Sequence, residues 1–382
     1  MTDLIKSLLF IFLALVSCDK KDHKLYEFDP GNLVENKISL NEIADDILYI
    51  PLDNSYPVSL IYNYYFINNS IYINTKDVGI LKYDRKGKLI KKIGTIGRGP
   101  GEYSRYTKFT VDNKEETVYV QDSGNRIQVY EGNGNFLRSI SIQEYGGNID
   151  LVSFFDSKLF VFNYLSFGDA RYNWIVLDTL GNFIKTKERA NPIFRSNWNG
   201  RSGTYYVNNS LCYWNVYNDT VYIISSDLNV KASFLISPGE HRIPRAEIDT
   251  QKLPQYILIQ SIIETEKYIM IRYFFANEQL FALIEKKSWK TFICNLDRDN
   301  NSGIINNLDG GAEFLPAYYF KENSIEYMIG LLDVFQLKTH VASEAFKNSK
   351  PKYPEKKKEL EKLANSLQDT DNPVLMLVRL KK

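Results

Sequence analysis

The sequence predicts an all-β fold, a six-bladed β-propeller of four-stranded antiparallel blades. Three observations predict it. Apolar strand signals recur down the chain: Ile71-Tyr72-Ile73, Val118-Tyr119-Val120, Leu159-Phe160-Val161, Val221-Tyr222-Ile223 and Tyr268-Ile269-Met270, at steps of 41 to 62 residues. Second strands with glycine turns follow several of them, as in "ILKYDRKGKLIKKIG", "IQVYEGNGNFLRSI" and "WIVLDTLGNFIKTKE", where glycine supplies the positive φ that a tight hairpin needs. Composition favours pleated, half-buried surfaces, with 27 Tyr and 22 Phe among 382 residues. A repeat of forty-odd residues built from paired hairpins is one four-stranded blade. A lone blade cannot cover both of its faces. Blades stacked around an axis cover one another, and ring closure removes most open edges.

The elements follow in order. Residues 1–17 read as a signal peptide: Lys6 precedes the apolar run 8–16, too short to span a bilayer as a mature helix. Leu15-Val16-Ser17-Cys18 resembles a bacterial lipobox, which implies that Cys18 becomes the lipid-bearing first residue of the mature protein. Residues 18–45 then form the lipidated cysteine and a tether, and residues 46–382 a single propeller domain. Five units are clear, and a sixth is expected at 311–345. The longest step contains an inserted loop, "NPIFRSNWNGRSG". A helical excursion is expected at 340–370, where Leu360, Leu363 and Leu367 make a narrow apolar stripe under a charged face. "ILYIPLD" (47–53) and the closing strand 372–382 are terminal strands suited to completing one blade from both chain ends.

Charge and rare residues limit the function. Lys plus Arg number 47 and Asp plus Glu 46, so the net charge of +1 gives no field for nucleic acid. The three histidines, His23, His241 and His340, lie far apart in sequence. No metal-binding spacing occurs, and neither metal nor cofactor is expected. Residues 297–303, "DRDNNSG", have glycine and glutamate out of place for a calcium loop and read as a solvated turn. Cys212 and Cys294 sit among apolar residues. Whether they pair is left open by the sequence.

"GRGPGEY" (97–103) could cradle a phosphate, but no Gly-Lys-Ser/Thr and no helix follow it. With Val111-Asp112, Val118-Tyr119-Val120-Gln121-Asp122 and Asn125-Arg126-Ile127 it resembles an NHL-type propeller repeat. Together with "DDILYIPLD", "NDTVYIISSDLNVKASFLI", "NNLDGGAEFLP" and "NPVLMLVRLK", the chain resembles the six-bladed β-propeller lipoproteins of Bacteroidetes. That resemblance implies an outer membrane lipoprotein, facing the periplasm or the cell surface, and implies no particular reaction.

Two loops carry aromatic and arginine side chains suited to stacking and bidentate contacts. One holds Arg98, Tyr103, Arg105 and Tyr106. The other holds Trp198, Arg201 and Tyr205. The expected function is a non-catalytic binding or scaffolding module for a glycan, a peptide or an envelope protein, attached to the membrane only through an N-terminal lipid. The alternative is an envelope hydrolase or lyase that uses carboxylates at the channel mouth.

Overall fold

Strands in this chain bury both faces. Ser70–Thr75 is covered along its whole length, because Ile71 and Ile73 turn to one neighbouring blade and Tyr72 to the other. The computed structural model describes residues 25–31, 36–123, 125–145, 148–168, 171–189, 193–296 and 302–382. Cys18, the signal segment, the charged tether 19–24 and most of the 297–303 turn lie outside the described residues.

Six sheets form the ring. The innermost strand of each blade comes first in sequence for blades 1 to 5: Ile61–Ile67, Phe109–Val111, Ile149–Phe155, Ser202–Val207 and Leu258–Glu264. Blade 6 runs outward from Tyr318–Glu322 through Ile325–Leu332 and Val374–Leu380 to Ala44–Pro51. The outer strand of the last blade therefore comes from the opposite end of the chain, paired antiparallel with Val374–Leu380. The innermost strands touch one another in sequence around the axis, blade 6 against blade 1 included.

The core is divided in the same way. Six apolar clusters occupy the six gaps between neighbouring blades. One face of the ring carries the blade-to-blade connections and the loops between second and third strands. The far face carries the turns between first and second strands and between third and fourth. Several of these are two-residue turns with both residues at positive φ, such as Asn208-Asn209 and Asn323-Ser324.

Before blade 6 begins, the N-terminal segment straps the outside of the ring. Glu27–Phe28 adds a parallel strand to the outer edge of blade 4, beside Leu235 and Ile236. Tyr26 stacks on Trp289, in the turn between the third and fourth strands of blade 5, with ring centroids 4.0 Å apart. Asn36 then bridges to Ile293 on the outer edge of blade 5.

The helical excursion interrupts blade 6 as Val334–Ala342, Glu344–Asn348 and Pro354–Ser366. It starts earlier than the sequence suggests. "DVFQL", read as part of the sixth strand unit, is helical because the Asp333 carboxylate caps the N–H of Phe335. Leu360 is buried, and Leu363 and Leu367 pack beside it against the cluster between blades 5 and 6. Cys212 and Cys294 are both buried, and no disulfide joins them.

Candidate functional site

Residues along the inner strands ring the axis and line a cavity of about 700 Å³. Its wall is aromatic: Tyr62, Tyr64 and Tyr65 come from blade 1, Tyr205 and Tyr206 from blade 4, Phe274 from blade 5, and Tyr318 and Tyr319 from blade 6. Burial drives the hydroxyls deeper in the channel towards the neutral form. It holds Tyr64 at about 12, and it raises Tyr206 and Tyr318 further.

Four cation-bearing groups stand at or behind this wall. Lys108 pairs with Asp150 at 2.9 Å, and Ser202 also donates to that carboxylate. Lys286 pairs with Glu264, whose other oxygen accepts from Tyr205 at 2.7 Å. These two pairs are internally neutral. Arg201 and Arg272 line the cavity, and neither makes an ion pair among the described residues. Arg272 Nε is buried without an acceptor. Burial lowers both guanidiniums below their usual range, and Arg201 lowers Arg272 further by like-charge repulsion. Tyr64 faces Arg272 and partly offsets this.

The residues singled out in the sequence are placed very differently. Arg201 lies in the cavity wall. Tyr205 lies there too, but it is buried, with its hydroxyl committed to Glu264. Trp198 is half-buried inside its own loop, where its ring packs on Tyr217 and its carbonyl accepts from the Tyr217 hydroxyl. Tyr103 is fully buried. Its hydroxyl accepts from Ile80 N at 3.0 Å and donates to Ile93 O at 2.8 Å, which ties the glycine turn to blade 1. The turn folds around Glu102, whose carboxylate accepts from Gly99 N at 2.7 Å. Gly101 sits at φ 71°, where a Cβ would strike the Phe136 ring. Arg98 is exposed, and Arg105 reaches Asp77 at 3.6 Å. Tyr106, at 67% exposure, meets Tyr62 edge-on at the cavity rim.

Asp122, in the strand after this turn, is a structural hub. It accepts from Ser104 N, Ser123 N, Arg126 and Gln128. Arg272 is the site residue that sequence reading missed. Its signal was a lone cation inside an eight-residue apolar strand, Tyr268–Phe275.

The geometry suits binding. Aromatic faces and two uncompensated guanidiniums converge on a concave space, which is how small-ligand sites are built. Glu264 is the carboxylate in the wall, and it is held by a lysine and a tyrosine. Among the described residues, no three His, Cys, Asp or Glu side chains converge as a metal site.

The ring is similar to that of known structures. An exported protein of Bacteroides fragilis, so named, shares 18% identity and a TM-score of 0.68, covering 94% of this chain and 99% of its own. A member of the DUF4221 family from Bacteroides vulgatus shares 13% identity and a TM-score of 0.52, covering 91% and 99%. At such identities the likeness is one of fold. No curated protein matches the chain. Residues 25–379 match the family model described as Domain of unknown function (DUF4934), and the chain belongs to that family.

Proposed function

We propose that this protein is a non-catalytic binding module of the bacterial envelope, which holds its ligand in the channel cavity and is attached to the membrane by lipid on Cys18. The observation that carries the reading is the cavity of about 700 Å³ with its aromatic wall, within the range typical of small-ligand sites. The carboxylate at the wall, Glu264, is spent on Lys286 and Tyr205. A glycoside hydrolase of the usual kind would need a second carboxylate facing it across the space. The fold relative named as an exported protein supports an envelope address, as does the lipobox-like Leu15-Val16-Ser17-Cys18.

The test fills the cavity. Gln260 lines it, and among the described residues its side chain bonds to Leu258 O two residues away, so Gln260→Trp removes no long-range hydrogen bond among them. Ligands found by glycan and peptide arrays with the wild-type protein should be lost in this variant while its circular dichroism is unchanged. Binding that survives the tryptophan, or turnover of a polysaccharide by the wild type, would count against the reading. Radiolabelled palmitate should enter the wild type and not Cys18→Ala; equal labelling would remove the anchor.

A further inference from the structure

We propose that the channel cavity recognises the oxyanion of an acidic saccharide, with Arg201 and Arg272 as its anion-binding pair. The inference rests on the cavity being the ligand site, and it adds the chemistry of the ligand.

Lys108 is neutralised by Asp150 and Glu264 by Lys286. Arg201 and Arg272 remain, two positive charges in one wall with no carboxylate among the described residues to answer them. Two like charges in a partly desolvated channel oppose each other and weaken the fold. Arg272 also breaks the local pattern. It sits in an otherwise apolar strand, with Ile271 and Tyr273 fully buried on the opposite face and Met270 buried on its own. A costly cation with no internal partner is a local conflict of the kind that functional sites retain. The planar fork of arginine matches the planar or trigonal oxygens of a carboxylate or sulfate.

The rest of the wall argues for a sugar. The cavity is far larger than a lone anion requires. Tyr62, Tyr64, Tyr318 and Phe274 put aromatic surface in the wall, against which the C–H face of a pyranose can pack. The amides of Gln260 and Gln279 provide both donors and acceptors for hydroxyl groups. A hydroxylated ring bearing an acid group uses all three features together.

Isothermal titration at fixed ionic strength tests this with five probes: trigalacturonic acid, a sulfated chondroitin disaccharide, maltotriose, inorganic sulfate and triglutamate. One or both acidic saccharides should bind, and the other three should bind at least about tenfold more weakly. Comparison of the two acidic sugars shows whether carboxylate or sulfate is preferred. Arg201→Gln and Arg272→Gln should each weaken the acidic sugar by about tenfold or more. Arg272→Met should lose the sugar and yet melt higher than the wild type without ligand, because an uncompensated charge has been removed. This separates a binding role from a folding role. Maltotriose or triglutamate binding as tightly as the acidic sugars would overturn the proposal and leave the ligand-site reading standing. So would sulfate alone matching the saccharides, or arginine variants that bind like the wild type. Silence from all five probes would overturn the proposal too, whichever way Arg272→Met melts, and the ligand-site reading would then rest on the Gln260→Trp test.

Discussion

Replacing Tyr103 by Phe removes a single oxygen and tests what the glycine-rich turn is for. That hydroxyl is buried and serves two backbone groups of blade 1, accepting from Ile80 N and donating to Ile93 O. Phenylalanine keeps the ring against Tyr130 and leaves both groups unanswered. Stranding a buried polar group costs about 1–3 kcal/mol, so two of them cost roughly 2–4 kcal/mol once partial relaxation is allowed. Unfolding entropy near the midpoint is about 2.1 cal/mol/K per residue, or about 0.8 kcal/mol/K for this chain. The apparent Tm should therefore fall by roughly 3–5 °C. Scanning calorimetry measures this, with Tyr106→Ala as the control, since Tyr106 is exposed and its loss should leave Tm unchanged. A Tyr103→Phe variant that melts with the wild type but loses ligand would refute the reasoning. It would move Tyr103 from scaffold to binding surface.

Two further outcomes are expected. Phe28 belongs to the strap on blade 4 and is fully buried, edge-on to Tyr273. Phe28→Ala should cost about 3–5 kcal/mol in urea unfolding, and a loss below about 1 kcal/mol would mean that the strap is not part of the folded core. Asp309 is buried, and desolvation raises its carboxyl above the ordinary 3.8 despite bonds from Gly311 N and Asn306. The folded state then holds this proton more tightly than the unfolded chain. Wild-type stability falls as pH rises from 3.8 through the raised value. Asp309→Asn cannot titrate, so its stability relative to the wild type should grow between pH 4 and pH 7. A difference that is flat with pH would show that the carboxyl is not perturbed.

The ring was legible because its physics is local and repeated. Each blade needs two hairpins, and each hairpin announces itself by a short apolar run and a turn residue. "SIYINT" and "TVYVQD" carry both pieces of information within six residues. The site was not legible for a corresponding reason. Which inner-strand residue faces the channel depends on strand tilt and on how the ring closes, and neither is local. Arg201 was visible because it sits in an oversized loop. Arg272 was hidden in "YIMIRYFF", where a strand pattern gives no sign of which neighbour covers each position. Tyr103 misled because glycine turns usually project their side chains. Here the turn closes over Glu102, which sends the next residue inward.

The strap on blade 4 has a directional consequence. Glu27–Phe28 runs parallel to Val230–Ile236, and Tyr26 rests on Trp289. The polypeptide therefore reaches the ring from the face that carries the turns between third and fourth strands. Any attachment upstream of residue 25 pulls on that face. With the lipid proposed at Cys18 as the mooring, the face of the blade-to-blade connections would be the one turned away from the bilayer.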